Sequence, residues 1–239
     1  MVICSKIYLE GRKLKKIALI TLVFFLSLSC ILIAVEKNAF NSRFYLNAYE
    51  KYNIMAETGK SFQELHDITD DLLNYLKGKA GEEVLEPNFN EREILHMKDV
   101  EVLFRNGFIL KYVSIIISLI IIIYFAITGE KEILGRYIYK GLFINWIILG
   151  LLGIMIFFDF SKYFTYFHYI FFTNDLWLLD PETDLLIQML PEEFFSSMAI
   201  NIGLSFLGFV AIIQGIGYAA TKKGRGKDEK NSKIFKRQT

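Results

Sequence analysis

The sequence is poor in the residues that define several structural classes. Its 239 residues include only two cysteines, three prolines and sixteen glycines. Two cysteines are too few for a small scaffold held together by disulfides. The low proline and glycine content excludes collagen-like and low-complexity disordered chains. The net charge is only +1, so the chain lacks the overall basic excess that typifies nucleic-acid-binding proteins.

Apolar residues are abundant and lie in long runs. Hydrophobic residues make up 53% of the chain, and the mean hydropathy is +0.34. Four runs cover residues 17–35, 108–127, 142–158 and 199–219. The first would form a helix of roughly 28 Å at about 1.5 Å per residue, which matches the hydrocarbon core of a bilayer. The sequence therefore predicts a mainly α membrane protein with four transmembrane helices.

The first run is interpreted as a retained membrane anchor. Four basic residues precede it, as they would in a secretory signal peptide. The run is longer than the usual apolar region of such a peptide.

Basic residues predict the orientation of these helices. Residues 1–16 contain five Lys or Arg, residues 128–141 contain three, and the tail at 220–239 contains eight. Cytoplasmic segments of membrane proteins carry such an excess of positive charge. Both termini are therefore predicted to be cytoplasmic. We expect the basic arm and the basic tail to attract anionic lipid rather than nucleic acid.

The remaining segments are predicted to be extracellular. Residues 36–107 carry fourteen acidic and nine basic residues, and their length predicts a folded cap rather than a connector. Residues 44–52 could form a strand or interfacial coil, so a small sheet in the cap stays open. Ser61 and Glu64 have the spacing of a helical capping box. Asn90 is predicted to begin a second helix that runs into the second span.

The second outer segment, residues 159–198, is acidic and opens with many aromatic residues. Ten Phe and Tyr residues lie between positions 157 and 172. Aromatic side chains concentrate at membrane–water interfaces. The segment is therefore predicted to contain a helix that lies at the outer leaflet.

Two of the three histidines are candidates for acid–base chemistry. His96 and His168 each lie where an outer segment meets a span, and histidine is the usual general base near neutral pH. Asp99 follows His96 by three residues, so both share one helix face and the carboxylate could orient the ring. A structural interpretation stays open, in which His96 and Asp99 form a surface pair and His168 is one more interfacial ring. His66, with Asp70 four residues on, is expected on a solvated face.

Other chemistry finds little support in the sequence. A metal centre built from His96, Asp99 and His168 would lack the close ligand spacing of known motifs, so no metal is expected. The chain has no Gly-x-Ser-x-Gly motif and no glycine-rich phosphate loop. An enzyme with this sequence would have to work without a nucleophilic side chain of its own.

The order of several motifs resembles a known family. Asn90-x-x-Glu93 leads into His96-Met97-x-Asp99-Val100. His168 lies in the aromatic run, which is followed by Asn174-Asp175-x-Trp177 and Pro191-Glu192-Glu193-Phe194-Phe195. With four spans and a long first outer loop, this arrangement resembles the lipoprotein intramolecular transacylase (Lit) family of low-GC Gram-positive bacteria. The resemblance covers roughly residues 10–220.

The resemblance implies an activity and a site. Members of the family move the sn-2 acyl chain of a diacylglyceryl lipoprotein to the α-amine of its own N-terminal cysteine, which gives the lyso form. The functional histidines of the family correspond to His96 and His168. Asp99 is our own addition as an orienting partner. Substrate contacts are expected from four further residues: Met97, Tyr163, Asn174 and Trp177.

The resemblance also implies binding partners and a cellular location. The partners would be diacylglyceryl-modified lipoproteins and membrane lipid, with no cofactor and no nucleic acid, and the protein would act as a monomer. It would reside in the cell membrane with its active site on the extracellular side. Two alternatives are a non-enzymatic membrane sensor or accessory protein and a metal-dependent membrane hydrolase.

Overall fold

The protein is helical in a computed structural model that describes the backbone of residues 2–235 and the side chains of residues 10–222. No β-strand occurs in that backbone range, so the cap contains no small sheet. The basic residues at 1–9 and 223–239 lie outside the described side chains. The helices are α1 (Val2–Ala39), α2 (Ser42–Lys51), α3 (Ile54–Thr58), α4 (Phe62–Leu76), a short 3-10 helix (Glu82–Val84), α5 (Glu91–Ile127), α6 (Lys131–Gly141), α7 (Phe143–Phe158), α8 (Phe160–Phe171), α9 (Leu185–Met189) and α10 (Glu192–Phe235).

Four helical stretches are long and apolar enough to cross a membrane. They cover Glu10–Ala39, Glu91–Ile127, Lys131–Phe158 and Glu192–Lys222. The third combines α6 and α7. Large apolar side chains on these helices stay exposed, as expected for surfaces that contact lipid. The prediction of a mainly α protein with four candidate membrane-spanning helices is confirmed.

The chain divides into two compact units. The first comprises residues 1–31, 111–150 and 204–239. Within it, Asn145 donates a side-chain hydrogen bond to Ser27 (2.9 Å). Trp146 donates its indole N–H to Gln214 (2.7 Å). Such bonds satisfy polar groups that have no water to contact inside a bilayer.

The second unit comprises residues 32–110 and 151–203. Its hydrophobic core is built from α2, α3, α4, α9, the first turns of α5 and α10, and the segment before α5. Among the most deeply buried side chains are Tyr49, Ile54, Leu65, Leu85, Met97, Met189 and Phe194.

The structure corrects one expectation for the cap. The segment expected to be strand or coil lies mostly in helix α2. Its residues Tyr45, Ala48 and Tyr49 fall on one buried face, because helical residues three and four apart point the same way. The hydroxyl of Tyr49 forms a 2.5 Å hydrogen bond with that of Thr69 on α4. Packing against α4 therefore outweighs the β-propensity of the tyrosines.

Both predicted helix starts are confirmed. Ser61 and Glu64 form a capping box at the beginning of α4. At the beginning of α5, the side-chain oxygen of Asn90 accepts the N–H of Glu93 (3.0 Å). The Glu93 carboxylate accepts the N–H of Asn90 in return (2.7 Å). These reciprocal bonds satisfy N–H groups that a helix start leaves without partners.

Glu93 also joins α5 to the second outer segment. Its other oxygen accepts the N–H of Leu186 at the start of α9 (2.6 Å). The side-chain amide of Asn90 donates to Asp184 (2.8 Å). Glu93 is 1% exposed, so its bonds form away from water, where loss of a partner is costly. The beginning of α5 is thereby fixed against the segment that leads into α9.

Replacing Glu93 by Ala should destabilise the protein. Two buried N–H groups would lose their acceptor, at about 1–3 kcal/mol each. We expect a clearly lower midpoint of thermal unfolding in detergent, with Glu93→Gln intermediate because it keeps one acceptor oxygen. Glu91→Ala, at an exposed position of the same helical turn, is the matched control. A midpoint for Glu93→Ala equal to that of the control would contradict this interpretation.

Candidate functional site

The two candidate histidines meet inside the second unit. His96 lies on the second turn of α5 and His168 near the end of α8. Their ring centroids are 6.2 Å apart, with 37° between the ring planes. Both are buried, with 7% and 8% of their surface exposed. Residues 72 positions apart in sequence thus form one pair of imidazoles in a largely water-free environment.

Aromatic rings surround His168. The indole of Trp177 stacks on the imidazole, with centroids 4.6 Å apart and planes at 22°. Phe164 meets the ring edge-on at 4.5 Å. Phe172 contacts both histidines, at 5.3 Å from His96 and 5.7 Å from His168. The spacing of aromatic residues along α8 and the following loop creates this enclosure.

One hydrogen bond fixes the tautomer of His168. Its Nδ1 lies 2.7 Å from the carbonyl oxygen of Phe164, one helical turn earlier. A carbonyl oxygen can only accept, so Nδ1 carries the hydrogen and Nε2 keeps a free lone pair. Burial lowers the pKa of His168 below its usual value, and the bond to Phe164 offsets part of this effect. At neutral pH the ring is therefore neutral, with Nε2 able to accept a proton.

His96 presents a buried nitrogen without a partner. No group among the described residues forms a hydrogen bond with its Nδ1. Buried polar atoms nearly always have a partner, so an exception calls for an explanation. A substrate group that reaches this nitrogen would supply the missing partner.

A cavity of about 430 Å³ opens beside the pair. Its size falls within the range of about 300–1,000 Å³ for small-molecule pockets. Both histidines line it, together with Met97 and Tyr163. Nearly all other lining residues are apolar, drawn from the ends of several helices: Val35, Ala39, Leu72, Leu76, Val100, Leu103, Phe104, Ile156, Phe160, Phe164, Phe167, Phe172, Leu186, Leu190, Phe194, Phe195, Met198, Ala199 and Ile202, with Tyr45. The cavity suits a long apolar group.

Three other candidate residues form a short series of contacts beside His168: Asp99, Asn174 and Trp177. Asn174 donates its side-chain amide to the carboxylate of Asp99 (2.8 Å). The indole N–H of Trp177 donates to the backbone oxygen of Asn174 (3.0 Å). Asp99, Asn174 and Trp177 do not line the cavity. Of the seven candidate residues, four therefore line the cavity and three connect α5 to the indole that covers His168.

The sequence argument missed the roles of Phe164 and Phe172. The Phe164 carbonyl could have been found, because a histidine four residues later in a helix can reach it. Phe172 had no distinguishing feature within a run of ten aromatic residues. Its contact with both imidazoles depends on how α8 packs against α5.

Comparison with known proteins identifies the family. The family model for the lipoprotein intramolecular transacylase Lit matches residues 20–195, well over half of the chain. The chain belongs to the Lit family. It is therefore a lipoprotein intramolecular transacylase, a transferase embedded in the membrane. Comparison with curated proteins gave no match.

Solved structures of Lit share the fold. The membrane-integral Lit of Bacillus cereus is 25% identical, with a TM-score of 0.81, over 89% of this chain and 98% of that one. A form of the same enzyme with one histidine replaced by alanine is also 25% identical, with a TM-score of 0.78, over 92% and 99%. A form with histidine replaced by arginine is 24% identical, with a TM-score of 0.79, over 93% and 98%. The fold of this chain is thus similar to that of a solved Lit enzyme.

The lowered pKa of His168 can be measured directly. Nuclear magnetic resonance of protein labelled with ¹³C-histidine should show the His168 ring protonating below pH 6.5, the ordinary value. Loss of the resonance in His168→Gln assigns it. Protonation at or above pH 6.5 would contradict the burial described above.

Proposed function

We propose that this Lit enzyme transfers the sn-2 acyl chain of a diacylglyceryl lipoprotein to the α-amine of the same lipoprotein's N-terminal cysteine. The product is the lyso-form lipoprotein. The observation that carries the proposal is the contact between two buried imidazoles at the wall of an apolar cavity. Amine and ester belong to one substrate, so the reaction needs no nucleophilic side chain from the protein.

The cavity supports an acyl-chain substrate. A long hydrocarbon placed among its apolar walls would leave water, which is favourable in proportion to the apolar area buried. The same placement would bring the ester carbonyl toward His96 and His168, the polar groups of the wall. The amine must fold back onto this carbonyl, and holding that geometry is where an enzyme accelerates such a reaction most.

His168 is assigned the role of general base. The amine nitrogen attacks the ester carbonyl carbon, and a nitrogen–carbon bond forms. The proton that the amine loses passes to Nε2 of His168, whose lone pair is free because Nδ1 is bound to Phe164. A neutral ring at neutral pH is the form that such a base requires.

His96 is assigned to the oxygen atoms of the reaction. Its N–H would stabilise the negative charge that develops on the carbonyl oxygen. When the carbon–oxygen bond to the glyceryl group breaks, the imidazolium of His168 returns the proton to the departing oxygen. The proton of the amine thus ends on the new sn-2 hydroxyl, and both rings return to their starting states.

The site is proposed to face the extracellular side of the cell membrane. The segments that build it, 36–107 and 159–198, have a net negative charge. Residues 1–16, 128–141 and 220–239 carry the excess of Lys and Arg that is typical of cytoplasmic segments. The exposed apolar face of α8, which includes Tyr169 and Ile170, would lie at the outer leaflet. We propose that the enzyme acts there as a monomer, without a cofactor.

Mass spectrometry of lipoprotein N-terminal peptides tests this activity. A host without endogenous conversion should give N-acylated lyso-form peptides when it produces the protein. His96→Ala and His168→Ala should abolish conversion, because the first removes the N–H that stabilises the oxyanion and the second removes the general base. His66→Ala is the matched control, since His66 lies in the cap beside Asp67 and Asp70 and should leave conversion unchanged.

Two results would contradict the proposal. Peptides that keep a free amine and both acyl chains, although folded protein is present, would reject the activity. Unchanged conversion by the His96 and His168 variants would reject the assigned site and favour a sensor or accessory protein.

Removal of metal ions separates the proposal from a metal-dependent hydrolase. Within residues 10–222, no three His, Cys, Asp or Glu side chains converge as metal ligands would. Conversion should therefore continue at its full rate in a chelator such as EDTA, and elemental analysis should find no stoichiometric transition metal. Loss of activity on chelation, restored by Zn²⁺, would favour the hydrolase.

A further inference from the structure

The loop after α8 holds the indole that covers His168. Two oxygen atoms of Asn174 accept hydrogen bonds within this loop. Its side-chain oxygen accepts the N–H of Leu176 (3.1 Å), and its backbone oxygen accepts the indole N–H of Trp177 (3.0 Å). The position of the indole therefore follows that of Asn174.

Asn174 is in turn held by α5. Its side-chain amide donates to Oδ2 of Asp99 (2.8 Å). Asp99 lies one helical turn beyond His96 on α5. These contacts therefore connect helix α5, which carries His96, to the indole that stacks on His168.

This geometry points to Asp99, Asn174 and Trp177 as positioning residues that set the orientation of the His168 ring from helix α5. The hydrogen bond to Phe164 holds one edge of the ring. The stacked indole holds one face. Together they direct Nε2, and small errors in the direction of a proton acceptor cost much of its rate. The expected effect on the reaction rate rests on the proposed function, whereas the contacts themselves are independent of it.

The role of Asp99 in this arrangement is to accept a hydrogen bond. The amide of Asn174 needs an acceptor oxygen, which asparagine supplies as well as aspartate. An orienting role toward His96, by contrast, would use the negative charge of the carboxylate. The two roles therefore differ in what Asp99→Asn should do.

Conversion by Asp99 variants is the first test. Asp99→Ala should lower the turnover rate by about 10- to 100-fold, as loss of a supporting contact commonly does, with little change in apparent KM. Asp99→Asn should keep most of the rate. Glu101→Ala is the control, since Glu101 lies on the same helix and pairs with Arg105 one turn further along. Equal losses in Asp99→Asn and Asp99→Ala, or no loss in either, would overturn the inference.

A double-mutant cycle covers the case in which Asp99→Ala folds poorly. Asn174→Ala removes the same hydrogen bond from the other side. If both residues act through that bond, the double variant should be no slower than Asn174→Ala alone. If the rate losses of the two single variants multiply in the double variant, Asp99 acts independently of Asn174, which would contradict the inference.

Fluorescence of Trp177 supplies a test that does not need the reaction. The chain has two tryptophans, so Trp146→Phe leaves Trp177 as the only tryptophan, which can be excited selectively at wavelengths where tyrosine does not absorb. In this background Asp99→Ala should lower the emission anisotropy of Trp177 and change its intensity, because the indole is no longer held against His168. Asp99→Asn should match the parent. A Trp177 signal that Asp99→Ala leaves unchanged would overturn the inference, whether or not the protein converts lipoproteins. Failure of the unmodified protein to convert lipoproteins would count against the proposed function instead.

Discussion

The hydrogen bond from Nδ1 of His168 to the carbonyl oxygen of Phe164 is the interaction on which the rest of the site depends. It lies within one turn of α8, so it needs no distant partner to form. It assigns the hydrogen to one nitrogen and leaves the other free to accept a proton. The aromatic enclosure then removes water from the ring and lowers its pKa. The structure thus presents Nε2 of His168 as a neutral proton acceptor with a fixed orientation before a substrate binds.

A membrane setting explains why such a site is built mainly from apolar residues. The proposed substrate has a hydrocarbon part and a polar part, and the cavity wall is divided in the same way, with two imidazoles among apolar side chains. Buried polar groups elsewhere in the second unit are used for architecture. In Glu93, for example, both carboxylate oxygens accept hydrogen bonds from backbone N–H groups. His96 is exceptional in this unit because its Nδ1 is buried without a hydrogen-bond partner among the described residues.

Local rules predicted much of this structure, and long-range contacts account for what they missed. The apolar runs gave the four spans, and the spacing of Ser61–Glu64 and Asn90–Glu93 gave two helix starts, because these features depend on neighbours in sequence. Helix α2 was missed because its tyrosines are stabilised by α4. The i, i+3 rule placed Asp99 on the face of His96, but its hydrogen-bond partner is Asn174, 75 residues away. The family resemblance singled out His96 and His168, but no local rule could predict that α5 and α8 bring them together.

The central claim is that His168 offers Nε2 as a neutral proton acceptor. The ¹⁵N chemical shifts of the His168 ring, measured at neutral pH in labelled protein and assigned with His168→Gln, test it most directly. The account predicts a hydrogen-bearing shift for Nδ1 and a lone-pair shift for Nε2. The opposite assignment, or the two similar shifts of an imidazolium, would contradict it.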